Sequence, residues 1–525
     1  MTTSPALHAP SLFNDVIGPV MRGASSSHGA AALRIGRLAR SLMGDRIDRV
    51  RVEFERSGAL ATTHESQGSD MGLFGGLLGW ELTDERLLDY QQHMDASGIA
   101  VEIELTEFEA PSPNIYKLTL ENADGRHELV ADSTGGGMIE VLSIDGVSLS
   151  LAGDCHATLV FSRGDSAALR DRLAALARRG EARVLAEGRM VELRDEAFLE
   201  PAARAELERE FAVEHWLELA PVLPVWTHPD LELPFTSCAE MLACEGTAGR
   251  PLWERALDYE CARGSLERAE VFERMADIVR LLEGSVQQGL AGTEYADRIL
   301  GVQCAPFRDK MQAGGLIELG LLNEIILQIT ALMEVKSSMG VIVAAPTAGA
   351  CGAVPGSVLG AATVLGLDED TRTRGLLTAG LIGTFIATRS TFAAEKAGCQ
   401  AECGAGSGMA AAALVEMAGG TPEQGLAAAS MALQNMLGLI CDPVAKRVEV
   451  PCLGRNVLAA SNALSCANMA LAGYDQVIPL DEVIEAMDGI GRGMPCELRC
   501  TGLGGLSVTP TSLRIEENLG CGGCA

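Results

Sequence analysis

The chain has 525 residues, 47% hydrophobic and 21% charged. That length predicts about two to four domains, and the composition excludes a disordered chain. A formal net charge of -30 excludes a nucleic-acid or anionic-membrane surface as the natural partner.

Residues 11–43 predict an approach turn and then a helix. Ser25, Ser26, Ser27 and His28 stand immediately before the apolar pattern Ala31, Leu33, Ile35, Leu38 and Leu42. Serine is a favoured N-cap, and a helix N-terminus with several hydroxyls is a carboxylate site. The N-terminal stretch carries Asp15 and lacks a basic segment followed by an apolar one, so it predicts no secretory signal. The fifteen cysteines are then reduced thiols of a cytoplasmic protein.

Val50, Val52 and Phe54 alternate with charged residues, as do Val101, Ile103 and Leu105, and both predict half-buried strands. Residues 68–80 predict a glycine-rich helix packed close to a neighbour. With further strands in NIYKLTLEN and MIEVLSI, residues 1–150 read as an α+β domain with a mostly antiparallel sheet. Residues 151–195 predict a short β-α-β-β unit, half of a ferredoxin-like arrangement. Residues 196–236 read as a linker, a charged helix followed by Pro221, Pro224, Pro229 and Pro234. From 237 to 515 helix follows helix, rich in Gly and Ala, with strand signals nearly absent. The most apolar stretches, such as 375–387, are shorter than the roughly 20 residues of a membrane span. An Ala/Gly-rich helical surface suggests a homodimer. Residues 516–525 form a cysteine-containing tail.

Cys399, Cys441 and Cys452 each sit in a Gly/Pro-rich turn, and none of the eight histidines lies beyond His228. A metal site built from the C-terminal part therefore uses thiolate, carboxylate or backbone oxygen. Thiolates select iron–sulfur clusters, zinc or Cu(I). Spacing alone leaves other pairings open: Cys399 with Cys403, Cys496 with Cys500, or Cys521 with Cys524. No Walker loop, G-x-S-x-G elbow or evident Schiff-base lysine is present.

The motifs SSSH, APTAGACGAVPG, AGCQAECGAGSGM, ICDPVAKRVEVPC and MPCELRCTGLGGLS together resemble the iron–sulfur-dependent L-serine dehydratases (L-serine ammonia-lyases), with β and α parts fused. The resemblance implies a β-type domain over 1–150, a degenerate ACT-like unit over 151–195 and a helical catalytic domain over 237–515. It implies a [4Fe–4S] cluster on Cys399, Cys441 and Cys452, with Cys521 or Cys524 as a fourth ligand. It implies a small amino-acid substrate bound by Ser25, Ser26, Ser27, Thr347, Ala348, Gly349, Arg455 and Asn456. Gln67 and Ser112 stand where the resemblance expects histidine, so His28, His64 and Lys396 become the candidate catalytic bases. The implied activity is conversion of L-serine to pyruvate and ammonia, with the open iron as Lewis acid. The alternatives are another β-substituted amino or hydroxy acid, L-cysteine included, or a non-catalytic amino-acid sensor.

Overall fold

A computed structural model describes residues 9–23, 25–186, 190–227, 231–244, 249–295 and 298–520. The chain forms two compact units, an N-terminal region built on sheets and a C-terminal helical region.

Residues 9–27 belong to the helical unit, not to the N-terminal domain expected over 1–150. The reason is local. Ser11 Oγ accepts from Phe13 N and Asn14 N and donates to Glu260. Leu12 N donates to Glu260 at 2.8 Å, and Tyr259 Oη donates to the Pro10 carbonyl at 2.8 Å. Gly380 and Gly383, on the Glu369–Arg389 helix, leave the room that Leu12 and Val16 fill. Strand β1 (Val20–Arg22) then pairs antiparallel with the short strand Val341–Val343, so the helical unit is not wholly α.

In the other unit, β2 (Arg49–Glu55), β3 (Ala100–Thr106), β4 (Ile115–Asn122), β5 (Gly125–Gly135), β6 (Met138–Ile144) and β7 (Val147–Leu151) form a six-stranded sheet of order β3-β2-β4-β5-β6-β7. Only β2 and β3 are parallel. Val50, Val52 and Phe54 all point into the core. The Ala31–Leu42 and Ser69–Leu77 helices cover that core. They touch backbone to backbone: a Cβ on Gly76 would lie 2.1 Å from the Leu33 carbonyl oxygen, and one on Gly72 2.0 Å from that of Gly29. The serine cap expected for the first helix is absent. A π turn, Ser26–Ala30, leads into it, and its N-cap is Ala30 with no side-chain bond.

The expected β-α-β-β unit ending at 195 and the linker over 196–236 need correction. After β8 (His156–Ser162), β9 (Glu181–Leu185) and β10 (Met190–Asp195), the Pro201–Glu210 helix leads into β11 (Val213–Leu219), which pairs with β8. The sheet order β11-β8-β10-β9 completes a β-α-β-β-α-β pattern. Leu217 and Leu219 are buried on either side of the half-buried Glu218, a strand alternation that the charged helix before it obscures. The prolines lie beyond β11.

The helical region runs from Cys238 onward, with the last short strand, β12 (Val341–Val343), inside it. The stretch Ala348–Leu365 is long and apolar enough to cross a membrane, longer than the sequence suggested, and 83% of it is buried within the protein.

Candidate active site

The thiols converge on three turns. Cys399 precedes the π turn Gln400–Gly404. The Gln400 side chain fixes that turn, donating to the Met487 carbonyl at 3.0 Å and accepting from Gly438 N at 2.9 Å. Cys441 N donates to the Leu498 carbonyl at 2.9 Å. Cys452 opens the Cys452–Leu471 helix. Cys399, Glu402 and Cys441 bring ligand atoms within 4.8 Å of one another. Cys399, Cys441 and Cys500 share one buried cluster with Ala394. Cys403 instead packs among Ala350, Ala353, Met436 and Ala459 as a small apolar residue.

The electrostatics are those of thiols crowded away from water. Hydrogen bonds with Cys399 and Cys500, then burial, push the Cys441 thiol well up. Burial raises Cys452, against the pull of the Lys336 ammonium. Glu402 is half-buried, and burial raises its carboxyl although Thr347, Lys336, Cys399 and Arg455 oppose the shift. Its Oε1 accepts from Thr347 Oγ1 at 2.6 Å.

The APTAGACG loop closes against these turns. Ala348 N donates to Ser26 Oγ at 3.2 Å, joining two motifs far apart in sequence. A Cβ on Gly349 would lie 3.0 Å from Glu402 Oε1, so glycine leaves that carboxylate its space. Thr347, Ala348, Ser25, Ser26 and Ser27 are all buried.

Two of the expected substrate groups, Asn456 and Arg455, hydrogen-bond within the protein. Asn456 Oδ1 accepts from Gly352 N and Ala353 N, and its Nδ2 donates to the carbonyls of Gly349 and Cys452. All four of its hydrogen-bonding positions are used, so it clamps the loop to the Cys452 helix and offers nothing to a ligand. Arg455 Nη1 lies 3.5 Å from Cys399 Sγ, and its Nη2 donates to Asp442 Oδ1 at 2.5 Å. Asp442 Oδ2 accepts from Leu506 N at 2.8 Å, and a Cβ on Gly505 would fall 2.4 Å from that oxygen. Gly505 of TGLGGLS thereby lets the last loop dock onto Asp442.

Lys396 lies half-buried on the short Ala394–Ala397 helix. The lysine at the thiols is Lys336, fully buried with no hydrogen-bond partner for Nζ among the described residues. It acts on Cys351, Glu402 and Cys452. A lysine inside EVKSSMG carries no sequence signal for this role; only its burial reveals it. Gln67 also belongs to the helical unit and donates to Cys500 Sγ at 3.9 Å.

His28 and His64 belong to the other unit. Thr63 Oγ1 donates to the Ala59 carbonyl and so accepts from His28 Nε2 at 2.9 Å. Burial, then the neighbouring His64, lowers the His28 imidazole to about 3. His64 Nδ1 lies 2.8 Å from Asp70 Oδ1. Ser112 Oγ donates to Asp132. Cys521 and Cys524 lie outside the described residues.

A group of buried thiols with one carboxylate beside it is compatible with a metal centre. The model of the serine dehydratase alpha chain family matches residues 247–507. The chain is 43% identical over 252 residues to the probable L-serine dehydratase alpha chain of Bacillus subtilis, covering 48% of this chain and 84% of that protein. It is 37% identical over 271 residues to the L-serine dehydratase alpha chain of Peptoniphilus asaccharolyticus, covering 51% and 93%. It is 33% identical over 290 residues to L-serine dehydratase 1 of Escherichia coli, covering 52% and 62%. The chain belongs to the L-serine dehydratase family and is an enzyme of that serine ammonia-lyase class.

Proposed function

We propose that the chain dehydrates L-serine to pyruvate and ammonia at a [4Fe–4S] cluster held by Cys399, Cys441 and Cys452. The observation that carries this reading is the buried group of thiols beside Glu402 and the Lys336 ammonium, which has no hydrogen-bond partner among the described residues. Thiolates are the protein ligands of iron–sulfur clusters. A fully buried ammonium without a hydrogen bond is costly, and an anionic centre beside it offsets that cost. When bound, such a cluster supplies a Lewis-acidic iron that polarises a hydroxyl.

The residues of the chain would do the rest. Arg455 holds the Cys399 sulfur in place and ties it to Asp442. Asn456 and Ser26 hold the Thr347–Gly352 loop against the thiol-bearing turns. Burial excludes water from the loop and the thiols. Glu402 is the proton carrier favoured here: burial raises its carboxyl above the usual carboxylate range, and Thr347 orients Oε1.

The completed β-α-β-β-α-β unit over 156–219 supports an ACT-like reading, a small effector-binding module attached to the enzyme.

The test is anaerobic loading with iron and sulfide, then pyruvate detection with L-serine and sulfide detection with L-cysteine. Pyruvate from serine is expected. A loaded enzyme that releases sulfide from cysteine and leaves serine untouched would move the reading to a desulfidase. A loaded enzyme inert to both would reject the activity and keep the cluster.

A further inference from the structure

We propose that Cys500 is a fourth thiolate ligand of the metal centre. This rests on the reading that Cys399, Cys441 and Cys452 hold an iron–sulfur cluster, and it concerns the position those three leave open.

The backbone makes the placement. The bond from Cys441 N to the Leu498 carbonyl, at 2.9 Å, lays residues 498–500 alongside the Cys441 turn. Two residues on, Cys500 is 6% exposed and packs directly with Cys399 and Cys441. The segment is well held: Arg499 Nε donates to the Met494 carbonyl at 3.0 Å, and Thr501 Oγ1 to that of Cys496 at 3.0 Å. Cys500 therefore reaches the thiols without any rearrangement of the chain.

The surroundings suit a thiolate better than an apolar filler. Gln67 Nε2 donates to Cys500 Sγ at 3.9 Å. A donated N–H stabilises sulfur bearing negative charge, and hydrogen bonds to sulfur tune cluster behaviour. Cys403 shows the contrast, packed among alanines and a methionine. A fourth thiolate adds one more negative charge to the centre. The Lys336 ammonium, fully buried and without a hydrogen-bond partner among the described residues, is a countercharge already in place. Four cysteines are the full ligand set of a [4Fe–4S] cluster, so a resting centre ligated this way has no exposed iron, and serine would have to take the place of Cys500.

Mild oxidation separates the two cases. A cluster with an exposed iron loses one electron to ferricyanide and releases that iron: [4Fe–4S]2+ gives [3Fe–4S]+, one Fe2+ and one electron. A fully thiolate-ligated cluster resists the loss. The wild type, the variants Cys500→Ala and Cys500→Ser, and the tail variant C521S/C524S are loaded anaerobically and treated with ferricyanide. Electron paramagnetic resonance reads the three-iron signal, and circular dichroism of the metal-free proteins confirms folding. The wild type and the tail variant are expected to show almost no three-iron signal, and both Cys500 variants to convert most of their cluster. Wild type converting as readily as the Cys500 variants overturns the proposal, as does conversion in the tail variant with Cys500 intact. Failure of the wild type to take up any cluster would instead reject the underlying reading, and the inference with it.

Discussion

The guanidinium of Arg455 stands 3.5 Å from the sulfur of Cys399. Its other arm reaches Asp442, and the pair is nearly closed to solvent, at 12% and 4% side-chain exposure. Burial works against the Arg455 charge, but Cys399 and Asp442 outweigh it and raise its pKa. One side chain thus fixes the thiol of one turn and the carboxylate of the next. Removing one partner of a buried pair strands the other, at a cost of about 3–5 kcal/mol. Arg455→Ala should destabilise the metal-free protein by that amount, read as a lower urea midpoint. Arg455→Lys should recover only part of it, since an ammonium cannot span both partners. An Arg455→Ala variant of unchanged stability would show that the pair contributes nothing.

Serine at position 399, 441 or 452 should each reduce bound iron and sulfide after anaerobic loading. Cys403→Ala should leave both unchanged, because Cys403 is packed as an apolar residue. Iron and sulfide analysis of the four variants checks this. Equal loss in all four would return Cys403 to the ligand set.

The three thiols were legible because their turns carry recognisable motifs. The strands β2, β3, β4 and β6 were legible from alternation, and most long helices from their apolar spacing. Three features were not. The attachment of residues 9–27 to the helical unit rests on Ser11, Tyr259 and Glu260, contacts of high sequence separation that no local pattern announces. Strand β11 lay hidden behind a charged helix and a run of prolines. Lys336 looks ordinary in sequence and Asn456 reads there as a substrate group; only three-dimensional burial and a full set of four hydrogen bonds define what they do.

The contact between the Ala31–Leu42 and Ser69–Leu77 helices depends on glycine because backbone meets backbone there. A Cβ on Gly76 would lie 2.1 Å from the Leu33 carbonyl oxygen, and neither side can yield as a flexible side chain would. Gly76→Ala should cost about 3 kcal/mol, the upper range of overpacking. Gly284 lies within the Arg268–Ala291 helix with nothing within 4 Å of its added Cβ. Gly284→Ala should instead add about 1 kcal/mol through helix propensity. Thermal unfolding of both variants reads opposite signs.

The two buried-side histidines of the sheet unit predict opposite pH slopes. His28 is held neutral down to about 3, while in the unfolded chain it binds a proton below about 6.5. Between those values the unfolded state carries more protons, so stability falls as pH is lowered, by about 1.4 kcal/mol per pH unit. For His64, burial opposes the charge, but the hydrogen bond and charge of Asp70, with Glu65, raise its pKa. Its contribution is complete below the unfolded value and is lost as pH rises through the folded one. His28→Asn should flatten the acid limb of stability against pH, and Asp70→Asn the limb on the alkaline side of 6.5. Urea midpoints measured from pH 4 to 9 in the two variants check the assignment; an unchanged acid limb in His28→Asn would refute it for that residue.

Lys336 makes the sharpest separation between the metal-free and loaded protein. Its Nζ is fully buried without a hydrogen-bond partner among the described residues, and its charge acts on Cys452 and Glu402. With no anionic centre beside it, that ammonium is a net cost. Replacing buried charge with an apolar side chain of similar length is often stabilising by about 1–4 kcal/mol. Lys336→Met should therefore raise the unfolding midpoint of the metal-free protein. The same variant should release iron faster once loaded, because the centre has lost its countercharge. Chelator-driven iron release and metal-free urea unfolding, measured on one preparation, give the two halves. A variant less stable without metal and equally retentive with it would mean that Lys336 serves packing, not the charge of the centre.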